Sequence, residues 1–200
     1  MTALARDTGL LWDALPSPVG EISLACSMSG LAEVRFGPPP ATANRAQPHA
    51  PAACAGDQPD AAATHLAHGR AQLGEYFAGL RHTFELPVDW SRLSPAQHQV
   101  LPVLLDTVGY GETVTYGGLA RRAGLADGPR VPAGRVVGQI MGSNPYPIVV
   151  PCHRVVAGDG LGGYSGGTGI EIKRWLLIFE GALPPTLDWD PAGPIIPAPT

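Results

Sequence analysis

The apolar positions of the chain change period along its length, and the changes outline its elements. The runs Gly20 to Cys26 and Leu31 to Phe36 alternate apolar with small or polar residues on either side of Ser27-Met28-Ser29-Gly30, the pattern of a β-hairpin. Cys26 falls on the apolar face with Ile22 and Leu24, which makes it a small core residue. From Gly37 to about Pro59 the chain turns to Pro, Ala and Gly with scattered polar residues. Such a stretch buries too little apolar area to offset the entropy of ordering, so a mobile loop over 37–59, Cys54 included, is expected. Leu66, Gly69, Leu73, Tyr76 and Phe77 then recur at helical spacing, which predicts a helix over about 60–79 stopped near Gly79. A further strand is expected over 82–86.

The second half opens on Ser94, Pro95 and Gln97, in the order of an N-cap, a first-turn proline and a capping-box partner. The helix they start should run to about Asp106, bury Val100, Leu101, Leu104 and Leu105, and bend at Pro102. Thr115 can cap a next helix that opens at Tyr116, faces Leu119, Ala120 and Ala123 inward and stops at Gly124. Another begins near Pro132, with Val136, Val137, Ile140 and Met141 on one stripe and Arg135, Gly138, Gln139 and Gly142 on the opposite one. The pair reads as a helix-turn-helix. Ile148, Val149 and Val150 look like a short buried strand ended by Pro151. After the glycine-rich stretch 158–169, a last helix over about 170–180 buries Ile172, Trp175, Leu176 and Phe179 and stops at Gly181. Residues 182–200 read as a disordered tail. The expected fold class is α+β: a sheet-plus-helix support domain over 1–90, then a mainly helical domain over 91–181.

A chain of 200 residues with 44% hydrophobic content can bury a real core as one domain or two small ones. No apolar run approaches the length of a membrane span, and Met1 to Leu15 lacks a basic start followed by an apolar block, so a cytoplasmic protein is expected. Cys26, Cys54 and Cys152 are an odd set without paired spacing, which favours neither a disulfide framework nor a zinc site. His49, His65 and His68 lack a supporting acidic or thiol cluster, and no metal or other cofactor is expected. The net charge of -4 speaks against a nucleic-acid partner until it is divided. Residues 1–90 carry 5 basic and 9 acidic side chains, 91–180 carry 8 and 6, and 181–200 carry none and 2. The half bearing Cys152 is therefore the basic one, though only modestly, so few phosphate contacts and a shallow salt dependence are expected.

The candidate chemistry lies in Pro151-Cys152-His153-Arg154-Val155. A free thiol is mostly protonated at neutral pH, and His153 is the nearest base able to change that. At a strand exit the two side chains would point to opposite faces unless the chain bends or a water joins them. The alternative is a buried structural cysteine beside a solvent-facing histidine. Glu180 is oddly placed, because an acid at the negative end of a helix needs a compensating partner.

Several separated motifs occur in one order: Tyr110-Gly-Glu-Thr-Val-Thr-Tyr116-Gly-Gly-Leu-Ala120, Gly134-Arg135-Val-Val-Gly138, Asn144-Pro145-Tyr146-Pro147, Pro151 to Val156, Gly163-Tyr164-Ser165-Gly166-Gly167, and Lys173-Arg174-Trp175 through Glu180-Gly181. Over about residues 90 to 181 the chain resembles the O6-alkylguanine-DNA alkyltransferases. The first half is similar, more weakly, to that family's small ribonuclease H-like domain, and the second would then be winged-helix-like. The resemblance implies a DNA-repair enzyme that transfers the alkyl group of O6-alkylguanine, and of O4-alkylthymine as a further candidate, from duplex DNA to Cys152, one lesion per molecule.

By the same resemblance, Glu180 orients His153, which takes the Cys152 proton through water. Asn144 braces the loop carrying the nucleophile, and Tyr116 rotates the nucleotide and meets guanine N3. Met141 and Pro147 wall the pocket, the backbone at Cys152 and Val155 accepts from the exocyclic amine, and Tyr164 with Ser165 lines the O6 side. Arg135 fills the gap left in the base stack, with Gly138 and Gln139 beside it on the DNA-facing stripe. The implied partner is double-stranded DNA containing alkylated guanine, bound by a monomer with no membrane association and nucleoid-associated when on DNA. Ala96 and Leu101 replace aromatic residues usual in the family. The turn over 125–133 is several residues longer than usual, which could shift the second helix and make Arg130 a further phosphate contact. Two alternatives stay open: a lesion-binding protein that transfers nothing, although such proteins lack the cysteine, and a homologue turned to a small-molecule alkyl donor.

Overall fold

A computed structural model of the chain describes residues 9–46, 60–163 and 169–185. The hairpin is present as β2 (Gly20–Ser27) and β3 (Gly30–Phe36), with Leu24 opposite Val34 and Ile22 opposite Phe36. Ahead of it runs a strand that the apolar pattern did not announce, β1 (Leu11–Ser17), antiparallel to β2. Its buried Trp12 and Leu15 face opposite sides of the sheet, and Pro16 interrupts the run just before the turn, so no alternation betrays it. A short strand β4 (Asn44–Arg45) pairs parallel with β1, giving the sheet order β3-β2-β1-β4. The stretch expected to be a mobile loop is thus strand-forming at this point. The reason is Trp12, whose side of the sheet is covered by Ala43 while Ala46 N–H donates to the Trp12 carbonyl at 2.9 Å. The remainder of that stretch, 47–59 with His49 and Cys54, lies outside the described residues.

On the other face α1 (Ala61–Phe77), capped by Asp60, packs Leu66, Leu73 and Tyr76. A Cβ at Gly69 would stand 2.8 Å from Leu24 Cδ1, so glycine sets how closely the helix sits on the sheet. Residues 82–86 do not form the expected strand. Pro87 gives no N–H, so pairing starts only at its carbonyl, which accepts from Leu31 N–H at 2.8 Å; Val88 then bridges Leu31, and Asp89 N–H donates to the Leu31 carbonyl at 2.8 Å.

The second half follows the predicted order: α2 (Pro95–Thr107) behind its Ser94–Gln97 capping box, then α3 (Tyr116–Arg122) and α4 (Ala133–Gly142) as a helix-turn-helix, then α5 (Ile170–Phe179) with Gly181 at φ 77. Two-residue strands β5 (Val114–Thr115) and β6 (Val155–Val156) pair in parallel. That pairing sets the start of α3 beside the segment that carries Cys152. Ile148, Val149 and Val150 are buried as expected but lie in turns, not in a strand. Pro145, Pro147 and Pro151 remove the donors a ladder needs, and Ile148 is driven to φ 73. Cys152 therefore sits at the start of a 3-10 turn, Cys152–Arg154, where the alternation of a strand no longer separates it from His153.

One apolar cluster runs from Leu24 and Leu73 through Leu101, Leu119 and Val150 to Leu176, so the two halves share a core. The fold is α+β, as expected, and none of the described helices is long and apolar enough to cross a membrane. Residues 182–185, expected to open the tail, close α5 instead, with Ala182 N–H donating to the Leu177 carbonyl at 2.9 Å. Residues 186–200 lie outside the described residues.

Candidate active site

Cys152, His153 and Arg154 are buried together on the 3-10 turn, and Glu180 meets them from the end of α5. Glu180 Oε1 lies 2.9 Å from His153 Nε2. A carboxylate offers only lone pairs, so Nε2 carries the imidazole proton and Nδ1 keeps its own lone pair. That Nδ1 is buried and has no hydrogen-bond partner among the described residues, a vacant base next in sequence to the thiol.

The compensating partners of Glu180 go beyond the histidine. Arg154 grips the carboxylate with two donors, Nε to Oε2 at 2.8 Å and Nη2 to Oε1 at 2.9 Å, and its Nη1 donates to the Val108 carbonyl at 2.9 Å. The Tyr76 hydroxyl, from α1, donates to Oε1 at 2.7 Å. Burial opposes ionisation of Glu180, yet the His153 and Arg154 contacts outweigh it and hold the carboxyl well below the usual carboxylate range. Burial also pushes His153 below its ordinary value; Glu180 pulls the other way, while Arg154 and Lys173 add to the depression. The permanent charge of Arg154 answers that of Glu180, which leaves a neutral imidazole able to accept a proton.

Beside Cys152 opens a cavity of about 540 Å³ lined by Tyr116, Gly134, Arg135, Gly138, Gln139, Met141, Gly142 and Gly163 as well as Cys152 itself. Its size is that of a small-molecule pocket, and it gathers expected site residues from three separate elements. Arg135 and Gln139 are exposed at its rim, whereas Met141 is buried in its wall. Gly134 serves the protein first: a Cβ there would come within 3.3 Å of Gly117 N, so the glycine lets α4 approach α3. Tyr116 opens α3 behind the Thr115 cap, and its hydroxyl donates to the Gly163 carbonyl at 3.1 Å.

Asn144 does what a brace must. Its Nδ2 donates to the Val150 carbonyl at 2.9 Å and its Oδ1 accepts from Tyr146 N–H at 3.0 Å, tying both ends of the strained loop before Cys152. Pro147 and Val155 are buried but stand outside the cavity lining. The carbonyls at Cys152 and Val155 already serve the protein, the first accepting from Val155 N–H and the second from Lys173 Nζ at 2.7 Å. Tyr164 and Ser165 lie outside the described residues.

Three side chains here were not singled out from the sequence. Arg154 stood inside the motif without an assigned role, and Tyr76 passed for helix core. Lys173 is completely buried, donates to the Val155 and Gly163 carbonyls, and places Nζ 5.7 Å from the centre of the Tyr116 ring. Burial brings it down to about 8, against the pull of Cys152. Its signal was available: Lys173 and Leu177 are four apart on α5, so they share the broad buried arc.

Two family models match the chain, the 6-O-methylguanine DNA methyltransferase ribonuclease-like domain over residues 10–90 and the DNA binding domain of the same name over residues 95–182. The methylated-DNA--protein-cysteine methyltransferase of Rattus norvegicus is 39% identical over 192 residues, covering 89% of this chain and 85% of that protein. The DNA base-flipping protein of Thermus thermophilus is 36% identical over 171 residues, 84% of this chain and 99% of its own. Among solved structures, Mycobacterium tuberculosis OGT in complex with DNA superposes with a TM-score of 0.68 at 29% identity, covering 92% of this chain and 96% of that one. The fold is that of the two-domain DNA methyltransferases. The chain belongs to the 6-O-methylguanine DNA methyltransferase family.

Proposed function

We infer that this protein repairs DNA by transferring an alkyl group from a base flipped out of the duplex to its own Cys152, O6-alkylguanine being the substrate. The observation that carries the reading is the cavity itself: it has Cys152 in its wall, and the imidazole adjoining Cys152 is held by Glu180 with Nδ1 open. A binding protein that only flips a base has no use for that arrangement. A base inside a duplex cannot reach it, so the nucleotide must be extruded, at a cost of a few kcal/mol. Arg135, exposed at the cavity rim on α4, occupies the vacated place in the stack, and Tyr116, Gly138 and Gln139 face the same strand.

The chemistry then needs one proton transfer and one displacement. The thiol proton passes through a bridging water to Nδ1 of His153, and the Glu180 carboxylate, held in place by Arg154, stabilises the imidazolium that forms. The Cys152 thiolate attacks the alkyl carbon in line; the carbon–O6 bond breaks and its electron pair stays with the guanine, whose N3 side faces the Tyr116 hydroxyl. Lys173 places a buried cation near both the thiolate and Tyr116, which favours the charged sulfur. Met141, buried in the cavity wall, contacts the flipped base. The product is a thioether that no group here can cleave, so one molecule repairs one lesion. Every participating group comes from a single chain, which acts as a monomer, with residues 1–90 supporting the reacting half.

The test is mass spectrometry of the intact protein after incubation with an O6-methylguanine duplex. The wild-type chain should gain one methyl group per molecule, mapped to the Cys152 peptide. Cys152→Ala should gain none while still binding the duplex. A methyl group on Cys26 or Cys54, or transfer by Cys152→Ala, sinks the assignment.

A further inference from the structure

The hydrogen bonds of Glu180 reach beyond the neighbours of Cys152 into the first half of the chain. Oε1 accepts from His153 Nε2, from Arg154 Nη2 and, at 2.7 Å, from the hydroxyl of Tyr76. Tyr76 lies on the last turn of α1 and has no exposed surface. A buried phenol must find a partner inside the protein, and this one takes the carboxylate that fixes the imidazole. Its ring is held by Phe77, Phe84, Tyr110 and Phe179, with centroids 5.1, 5.6, 6.2 and 5.6 Å away. The hydroxyl can therefore move little unless α1 moves with it.

We propose that Tyr76 is a positioning residue of the transfer reaction: through its hydrogen bond to Glu180, the first half of the chain sets the orientation of His153 and the strength with which that imidazole holds a proton. The proposal rests on the reading of Cys152 and His153 as the reacting pair. Oε1 has two lone pairs for three donors, so each donor limits what the others receive. With the phenol gone, His153 and Arg154 share that oxygen alone, and its charge bears more fully on the imidazolium. The proton taken from the thiol is then held more tightly, and the carboxylate loses one of the contacts that fix its plane.

The other ionisable groups facing this carboxylate are known. His153 and Arg154 come from the 3-10 turn, Tyr110 from the loop before β5, where its hydroxyl donates to the Phe179 carbonyl at 3.3 Å, and Lys173 acts on His153 from α5. Each of these stays in place when Tyr76 becomes Phe, so a change in proton affinity reports the missing hydroxyl. The ring cage is also kept.

Tyr76→Phe in the full chain is the deciding variant. Single-turnover methyl transfer from an O6-methylguanine duplex is followed across pH, and the pH dependence of Cys152 labelling by iodoacetamide is read without DNA by peptide mass spectrometry. Transfer should slow about tenfold, the effect of losing one hydrogen bond to a charged group. Duplex affinity should be unchanged, and the acid limb of both profiles should move to higher pH. Slower transfer with neither profile displaced would mean a merely structural role and overturn the proposal, as would a wild-type rate. If Tyr76→Phe melts early, fluorotyrosine at position 76 keeps the ring and sharpens the donor; it should move the acid limb the opposite way, and an unmoved limb overturns the proposal. The two readings fail separately. A wild-type chain that transfers no methyl group removes the proposed function, while the labelling profiles still decide whether Tyr76 acts on His153.

Discussion

Gly162 shows how much of the site depends on single positions that carry no chemistry. It lies at φ 70, and a Cβ there would stand 2.8 Å from Tyr116 Cε2 and 3.0 Å from the hydroxyl. Gly162→Ala should therefore displace the Tyr116 ring and strain its own backbone by about 1–2 kcal/mol. Because small misplacements are costly in a reacting geometry, transfer should fall by on the order of 10- to 100-fold, while the strain lowers the melting temperature by only about 2–8 °C. A normal single-turnover rate would show that the position of Tyr116 is unimportant. At this scale the sequence was legible where contacts are fixed by local motifs: Asn144 ties the loop before Cys152, and Glu180 meets His153, as the motifs anticipate. It was not legible for Tyr76, whose partner lies 104 residues away, because an apolar stripe on α1 accounts for a tyrosine without asking where its hydroxyl goes. Ile148 misled for a related reason: a β-branched run suggests a strand, and only the surrounding prolines argue for the turn it occupies.

Helices were read more closely than strands, because caps and the 3.6-residue period are local while strand pairing is not. The capping box of α2 and the Thr115 cap of α3 begin their helices at the predicted residues. β1 has one buried side chain on each face, and β4 exists only as a partner for β1. The long turn between α3 and α4 gains a purpose in the structure. Pro132 at the N-cap of α4 has no side-chain oxygen to offer, and Asp127 Oδ1 reaches back to accept from Ala133 N–H at 2.8 Å. The turn thus brings a capping carboxylate to the helix that carries Arg135. Asp127→Ala should cost about 1 kcal/mol, the usual value of a cap, read as a lower denaturation midpoint. Duplex binding should weaken in parallel, since α4 frays at the end nearest Arg135. Unchanged stability would show that the turn holds α4 without this contact.

Across the whole molecule the two halves differ in charge and in the strength of their family motifs, but physically they are one object. Val34 N–H donates to the Pro145 carbonyl at 2.8 Å, the Tyr146 hydroxyl to the Asp89 carbonyl at 2.6 Å, and Tyr76 to Glu180, all across the shared core. Ionised Glu180 is the charge on which this junction depends, and its depressed carboxyl fixes how stability varies with pH. In the unfolded chain it titrates near 4.5, while in the folded protein it stays ionised well below that. As pH falls below about 4.5, the unfolded chain binds a proton that the native one refuses, so folding is progressively disfavoured. The stability from this carboxylate is fully present above that value and is lost through the acid range beneath it. Glu180→Gln should behave differently in two respects. At neutral pH it should be less stable by about 3–5 kcal/mol, because the guanidinium of Arg154 is left buried without a counter-charge. Below pH 4.5 its denaturation midpoint should fall less steeply than that of the wild type, since the titrating group is gone. Denaturant titrations from neutrality downwards, followed by tryptophan fluorescence and by circular dichroism, measure both. The two probes should move together at every pH because the halves share one core; a separate early transition would mean that they unfold independently and that the junction at Glu180 does not join them.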